Sequence, residues 1–337
     1  MNDVIDKEEV IKQLQVILKE KGKKTVEMAI KSLFEEKIDS TEVREALNYF
    51  MTECMDNVTG PGLLFLVCQA IGGNPNLTTP IAISLTLISG GIDIHDDIID
   101  QSKSKNSKYT VFGKFGKNVA ILAGEFLLVR GFTSLFEAVR KGIPVEQIIV
   151  INDTINKALF ELGNAIALEL SFRGNIDVSS KDYLIYVRKK AANIEAYTRI
   201  SSILGNGTQK EIEALSEYGR LLGIMNILYN DLIDMQNFEE FSHRIQYEHL
   251  PLQVIFALEN PLYKNEINHI LQKKKKTKSD FKKIIDFTNK AEGTIFVAEK
   301  IISIASEAIY LLEEIKNDKN YLEAFIEMLT PSIIKKD

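Results

Sequence analysis

The stretch IDIHDDIIDQSKSK, residues 92–105, places Asp96, Asp97 and Asp100 within five positions and follows them with lysines. Asp96 and Asp100 are four residues apart, so they would share one face of a helix. The apolar residues that precede them from Pro80 onward form a run too long for a strand, which predicts that the aspartates lie near the C-terminal end of a long helix. Carboxylates at that end repel one another and the helix dipole, so we expect a cation beside them.

A second acidic cluster, YNDLIDM, occupies residues 229–235 and also closes an apolar helical pattern. Asn230 and Asp234 are one helical turn apart, with Asp231 between them. A solvated helix end would explain one such cluster, but two of them, each after apolar segments, favour a pair of metal-binding helix ends. Mg²⁺ suits such ends because it accepts a few carboxylates, keeps several waters and bridges to phosphates. The predicted ligands are Asp96, Asp97, Asp100, Asn230, Asp231 and Asp234.

Length and composition are those of an ordinary globular chain. The 337 residues are 45% hydrophobic and 26% charged, with a net charge of -6, which argues against nucleic acid as a partner. We find no apolar run of the roughly 18 residues that a membrane span needs, so no transmembrane segment is expected. Cys54 and Cys68 form no CxxC motif, and the start of the chain shows no signal segment. A cytoplasmic location is therefore expected.

Helical periodicity dominates the chain. None of the seven prolines lies between Pro144 and Pro251, where apolar residues recur at helical spacing. Clusters of Gly, Asn, Pro and Ser predict breaks at residues 72–80, 140–144, 173–182 and 205–211. We predict an all-α fold of about eleven helices without a sheet, organised as a single domain over residues 1–337.

Two segments resemble the aspartate-rich regions of the trans-isoprenyl diphosphate synthases, the polyprenyl synthetase family. Residues 94–128, IHDDIIDQSKSKNSKYTVFGKFGKNVAILAGEFLL, resemble the first region, and residues 219–235, GRLLGIMNILYNDLIDM, resemble the second. The resemblance implies a large helical bundle around a central cavity. It also implies a cluster of Mg²⁺ ions that bridges the diphosphate of an allylic prenyl donor, and a homodimer, with a heteromer as the alternative.

The residues that would hold the donor match the family. Lys190, in RKKAANIEA, matches the lysine of the family's Lys-Thr-Ala segment, and Lys105 stands where an arginine contacts the donor. Arg244 falls where the family carries lysines near the donor, with a surface loop arginine as the alternative. By this resemblance Asp96, Asp100 and Lys190 are catalytic, while Lys105, Lys190 and Arg244 bind the donor diphosphate.

The residues that would hold the acceptor, isopentenyl diphosphate, differ from the family. Asn57, Val58 and Gly60 stand where cations are expected, Ser89 replaces a histidine and Asn106 replaces an arginine. Without these cations a second diphosphate has little to neutralise it. In the second motif Asn230 replaces the first aspartate, as in terpene synthases, which share the bundle and the donor chemistry.

These differences favour a class I terpene synthase-like enzyme, which ionises an allylic prenyl diphosphate and cyclises or quenches the cation without isopentenyl diphosphate. The alternatives are chain elongation as a prenyl diphosphate synthase, with or without a partner subunit, and prenyl transfer to another acceptor. A non-catalytic regulatory subunit is a further alternative, but it has no use for the retained, mutually repelling carboxylates.

Two adjacent glycines, Gly90 and Gly91, precede the first aspartates in the predicted helix, where each costs about 1 kcal/mol relative to alanine. In this family the donor length depends on residues one or more turns before those aspartates. If the glycines keep space open, the donor tail runs past Gly91, Leu87 and Ile88, and the donor is long. Close packing between helices is the alternative explanation.

Overall fold

The computed structural model describes residues 7–55, 59–105 and 107–331. In these ranges the chain forms sixteen α-helices and one hairpin of two short strands, β1 (Ser104–Lys105) and β2 (Lys108–Tyr109). The predicted all-α class is confirmed. The helices are more numerous than expected, and the hairpin was not predicted.

The helices of the first half are α1 Lys7–Leu33, α2 Thr41–Tyr49, α3 Thr59–Ala70, α4 Thr78–Ile99, α5 Val111–Phe115, α6 Lys117–Glu137 and α7 Val145–Phe172. Those of the second half are α8 Ser180–Lys190, α9 Ala192–Leu204, α10 Gln209–Asp234, α11 Phe238–Tyr247, α12 Leu252–Glu259, α13 Pro261–Leu271, α14 Lys278–Lys290, α15 Gly293–Leu311 and α16 Asn320–Met328.

Local capping signals explain most helix boundaries. All four predicted breaks separate helices, and Gly142 and Gly174 in two of them adopt positive φ angles of 95° and 67°. The additional helices come mainly from residues 238–290. There the side chains of Asn237, Asn260 and Thr277 accept hydrogen bonds from the first-turn N–H groups of α11, α13 and α14.

The chain divides into two units. Unit 1 consists of Met1–Ile155, Tyr197–Ile212 and Ile315–Tyr321. Unit 2 consists of Asn156–Ala196, Glu213–Glu314 and Leu322–Asp337. The single domain expected over residues 1–337 stays a prediction.

In unit 1 the packing of α4 along α6 fixes the helix that carries the first aspartates. Ser84 Oγ of α4 donates a hydrogen bond of 2.7 Å to the carbonyl oxygen of Gly131 in α6. Leu87 and Ile94 of α4 belong to the same buried core as Leu127 of α6. Because apolar contacts hold α4 along its length, its polar last turn has a defined position.

In unit 2 a separate core places α11 and α12 beside the end of α10. Its buried members are Met235, Phe241, Val254, Ala257, Leu258, Ile267, Ile270, Phe281, Ile284 and Ala291. Phe241 of α11 packs on Phe281 of α14, with ring centroids 5.4 Å apart. This core anchors α11 and α12, which contribute the Arg244 side chain and the N–H of Leu252 to the second acidic cluster.

Two helical segments among the described residues, Pro75–Ile99 and Lys117–Lys141, are long and apolar enough to cross a membrane by length and composition alone. Apolar helical segments of this length were not expected from the sequence. This is weak evidence for a membrane span because the core helix of a soluble protein passes the same test, and 67% of the first segment's apolar window is buried.

Candidate active site

The first aspartates lie at the C-terminal end of α4, as predicted, with Asp100 as its C-cap residue. The expected cation is Lys105 of β1, whose Nζ lies 2.6 Å from Asp97 Oδ1 and 3.7 Å from Asp93 Oδ1. Thr110 holds the hairpin to the end of α4, because its Oγ1 donates a hydrogen bond of 2.7 Å to the carbonyl oxygen of Ser102. The hairpin therefore positions the lysine over the carboxylates.

Burial makes charge costly in this first cluster. It raises the pKa of Asp97 to about 6, although the nearby Lys105 works against that rise. Burial also disfavours the charge on Lys105, but Asp93 and Asp97 outweigh it and raise the lysine pKa above its usual range. Lys105 pairs with Asp97 and lies near Asp93, while Asp96 and Asp100 add further negative charge, so a further cation would stabilise this cluster.

The first cluster fits Mg²⁺ by its donor chemistry. Its donors are carboxylate oxygens, which suit a hard cation. No three His, Cys, Asp or Glu side chains in the described ranges form a metal site by themselves. A cation held by Asp96 and Asp100 would therefore complete its coordination with water and phosphate oxygens, as Mg²⁺ does.

The second acidic cluster, at the end of α10, is arranged differently. Arg244 of α11 places Nη1 2.8 Å from Asp231 Oδ1 and 2.9 Å from Asp234 Oδ2. The hydroxyl of Tyr183 donates a hydrogen bond of 2.8 Å to Asp231 Oδ2, and the N–H of Leu252 donates one of 3.1 Å to the same oxygen. Both oxygens of Asp231 are thus engaged by protein groups.

This arrangement disagrees with two predictions. Asp231 was expected to ligate a metal, but it is only 1% exposed and serves as an internal anchor. Arg244 was expected to contact the donor diphosphate, but it is only 5% exposed and faces the aspartates. Asn230, one turn before Asp234, is exposed. Burial raises the pKa of Asp234 to about 6, although Arg244 works against that rise.

Lys190, predicted to bind the donor, lies at the end of α8 with its Nζ 2.8 Å from Glu169 Oε2. Glu169 also accepts a hydrogen bond of 2.7 Å from the hydroxyl of Tyr186, and its Oε1 lies 3.3 Å from His249 Nε2. Burial alone would raise the pKa of Glu169. The hydrogen bond with His249 and the charge of Lys190 outweigh burial and hold this pKa well below its usual range.

Sequence reasoning missed Glu169, Tyr183 and Tyr186. The available signal was a charged residue within an apolar helical pattern, since Glu169 interrupts AIALELSF. A buried glutamate in such a pattern needs a partner. The two tyrosines gave no such signal, because tyrosine is common on the apolar faces of helices.

Of the two explanations for the glycines, the structure supports close packing between helices and not an open channel beside Gly91. A Cβ atom built at Gly91 would lie 2.7 Å from the carbonyl oxygen of Gly124 and 2.7 Å from Cγ of Leu128, both in α6. At Gly90 a Cβ atom would lie 2.8 Å from the side-chain end of Phe50. Leu87 is fully buried in the core. The glycines therefore permit close packing between helices and give no information about donor length.

Of the positions where acceptor cations were expected, residues 57, 58 and 106 lie outside the described ranges. The other two, Gly60 and Ser89, meet at Tyr197. Ser89 Oγ lies 3.0 Å from the hydroxyl of Tyr197, and a Cβ atom at Gly60 would lie 2.6 Å from the ring of the same tyrosine. A neutral phenol therefore fills this place, and a larger residue at position 60 would have to displace it.

Comparisons with known proteins identify the family of this chain. The family model for polyprenyl synthetase matches residues 42–288. The chain is 29% identical over 263 residues to the short chain isoprenyl diphosphate synthase of Methanothermobacter thermautotrophicus, a match covering 75% of this chain and 80% of that one. It is 32% identical over 187 residues to the geranylgeranyl diphosphate synthase of Methanosarcina mazei, covering 55% of this chain and 57% of that one.

Among solved structures, the geranylgeranyl pyrophosphate synthetase from Pyrococcus horikoshii is similar with a TM-score of 0.85 and 26% identity. The match covers 96% of this chain and 99% of that one. The expected reaction of the terpene synthase type finds no support in these relatives, which favour the alternative of chain elongation. This chain belongs to the polyprenyl synthetase family and is an enzyme that uses isoprenoid diphosphates.

Proposed function

We propose that the chain is a prenyl diphosphate synthase of the geranylgeranyl type, which joins an allylic diphosphate to isopentenyl diphosphate. The observation that carries this proposal is the first cluster, in which α4 presents Asp96, Asp97 and Asp100 beside Lys105. Its relatives are named as synthases of isoprenyl and geranylgeranyl diphosphates. The residues predicted to hold the donor, Asp96, Asp100 and Lys105, suit that chemistry.

In the proposed reaction the carbon–oxygen bond of the allylic diphosphate breaks, and its electron pair leaves with the diphosphate. The double bond of isopentenyl diphosphate forms the new carbon–carbon bond, and loss of a proton restores a double bond. Asp96 and Asp100 would hold Mg²⁺, which when bound supplies positive charge to the leaving diphosphate. Lys105 is partly exposed, so its ammonium group can turn from Asp97 to a phosphate oxygen.

The residues at the expected site for isopentenyl diphosphate predict a distinctive kinetic property. Ser89 and Tyr197 offer hydroxyl groups where the family resemblance led us to expect a cation. Hydrogen bonds from neutral donors to a diphosphate are weaker than charge-assisted ones. We therefore expect a high KM for isopentenyl diphosphate relative to the KM for the allylic donor.

Incubation of the purified full chain with Mg²⁺, labelled isopentenyl diphosphate and dimethylallyl, geranyl or farnesyl diphosphate tests the proposal. We expect label in longer prenyl diphosphates, identified by mass spectrometry, and no incorporation after chelation with EDTA. Asp100→Asn should lose the reaction. Asp286→Asn, which changes an exposed aspartate 2.7 Å from Lys290, is the matched control and should keep it. A folded chain that yields hydrocarbons, or that incorporates no label, would overturn the proposal.

We also propose that the chain acts as a homodimer. Leu122, Phe126, Val129 and Phe136 form an exposed apolar stripe along α6. Apolar stripes of this kind mark protein interfaces, and a second copy of the same helix would cover it. Light scattering during size-exclusion chromatography should give twice the mass of one chain, and Val129→Glu should give the mass of one. A wild-type monomer at micromolar concentration would contradict this proposal.

A further inference from the structure

We propose that Arg244, and not a metal ion, is the cation of the second acidic cluster, formed by Asp231 and Asp234. One guanidinium nitrogen, Nη1, lies 2.8 Å from Asp231 Oδ1 and 2.9 Å from Asp234 Oδ2. The guanidinium thus forms an ion pair with both carboxylates of the motif at once. The inference goes beyond the proposed function, from which it takes only the expectation that the first cluster binds metal.

Both carboxylate oxygens of Asp231 are engaged in contacts with protein groups. Its Oδ1 faces Arg244, while its Oδ2 accepts hydrogen bonds from the hydroxyl of Tyr183 and the N–H of Leu252. The contact with Leu252 ties the first turn of α12 to the end of α10. A metal ligand must direct a lone pair toward an ion that keeps several of its own waters. Asp231 is buried, so its surroundings leave little room for such a hydrated ion.

Arg244 is itself held in place. Its Nη2 lies 3.4 Å from His249 Nδ1, and its Nε lies 3.8 Å from Glu248 Oε2. A guanidinium keeps its charge at all pH values of interest, and its planar fork suits several carboxylate oxygens at once. A divalent ion on the same oxygens would stand next to this fixed positive charge, and the repulsion would be poorly screened in a buried site.

The remaining oxygen donors of the motif are weak candidates. Asn230 is exposed and supplies a neutral amide oxygen in place of a carboxylate. Asp234 is 26% exposed, and one of its oxygens already faces Arg244. The second cluster therefore differs from the first, whose cation is a partly exposed lysine on a hairpin.

Counting bound Mn²⁺ by electron paramagnetic resonance, in the presence of inorganic pyrophosphate, tests the inference without turnover. Asp100→Asn should weaken Mn²⁺ binding at least tenfold or remove an ion. Asp234→Asn and Asn230→Ala should leave the number of ions unchanged and the affinity within twofold. Loss of one Mn²⁺ ion from either of the latter two variants, with an unchanged circular dichroism spectrum, would overturn the inference.

A second measurement uses a variant in which Asp231 and Asp234 lose their ion pair with Arg244. Arg244→Gln should lower the Tm, and Mg²⁺ should raise the Tm of this variant more than that of the wild type, since a metal can now replace the missing charge. Arg188→Gln, which removes an exposed pair with Glu217 in the same unit, is the control and should show no extra response. If Arg244→Gln does not fold, Arg244→Lys should fold and respond to Mg²⁺ as the wild type does.

Equal responses to Mg²⁺ in the wild type and a folded Arg244→Gln would refute the inference. A greater response of Arg244→Lys than of the wild type would refute it as well. Since both measurements read metal binding or stability, their outcome is independent of whether the chain elongates an allylic diphosphate. Failure of the inference can therefore be told from failure of the proposed function.

Discussion

Replacing Glu169 with glutamine would remove the carboxylate that Lys190, Tyr186 and His249 share. Glu169 is 3% exposed, with Lys190 Nζ at 2.8 Å and the Tyr186 hydroxyl at 2.7 Å from Oε2. Glutamine has nearly the same shape, so the change tests charge and not packing. The neutral amide would remove the negative charge that pairs with Lys190. Its NH₂ group would also be a hydrogen-bond donor facing two other donors, the Lys190 ammonium and the Tyr186 hydroxyl.

We expect Glu169→Gln to lower the free energy of unfolding by about 3 kcal/mol, the lower end of the range for breaking a buried ion pair. The lower end applies because Lys190 is 27% exposed and can regain contact with water. The control is Glu217→Gln, whose partner Arg188 is exposed. Loss of an exposed pair should cost about 0.5 kcal/mol or less. Urea unfolding followed by circular dichroism at pH 7 measures both values.

The pH dependence gives an independent check. The pKa of Glu169 is lower in the folded protein than in the unfolded chain, so its ionised form stabilises the fold above the unfolded value of about 4.3. This contribution is lost as the pH falls toward the folded pKa. The difference in the free energy of unfolding between wild type and Glu169→Gln should therefore be largest at pH 6 to 7 and decrease below about pH 4. A difference under about 0.5 kcal/mol at pH 7, or one that does not change with pH, would refute the reasoning.

Three further predictions concern the site and its supporting helix. Asp100→Ala should abolish release of diphosphate, measured with a pyrophosphate assay, because it removes a carboxylate from the first cluster; wild-type turnover would contradict the assignment. Lys190→Ala should weaken donor binding by roughly 1.5 to 3 kcal/mol, the range for a charge-assisted contact, as measured by calorimetry; unchanged affinity would show that Lys190 does not reach the donor. Gly91→Ala should destabilise the fold by about 1 to 3 kcal/mol, because its Cβ would press on the Gly124 carbonyl in α6. Gly163→Ala, at a helical glycine with nothing within 4 Å, should instead raise the Tm, so equal shifts would show that helix contact is not the cause.

Local patterns predicted the position of the first cluster correctly. The apolar run that begins near Pro80 and the spacing of Asp96 and Asp100 placed these residues at the end of a helix, where α4 ends at Ile99. The need for positive charge there followed from charge repulsion alone, and Lys105 meets part of it. The predicted breaks also coincide with helix boundaries, since glycine, proline and capping side chains act on their own neighbours in the chain.

The reaction was harder to predict from the sequence. The absence of cations on the acceptor side led to the expectation of a terpene synthase, which the family relatives do not support. The absence of charged residues at a few sequence positions is weak evidence about the reaction, because side chains from elsewhere in the chain can occupy the same place in space. Tyr197 does so here: it lies more than a hundred residues from Gly60 and Ser89 along the chain, yet contacts both positions.

The sequence by itself determined the helical class, the four predicted helix breaks and the residues of the acidic motifs, because these depend on side chains within a few positions of one another. Tertiary structure decided how those residues are used. It pairs Arg244 with Asp231 and Asp234, and it buries Glu169 beside Lys190. It also closes the space at Gly91 with α6. Such contacts depend on which faces of distant helices meet, and burial there determines whether a charge binds a ligand or stabilises the fold.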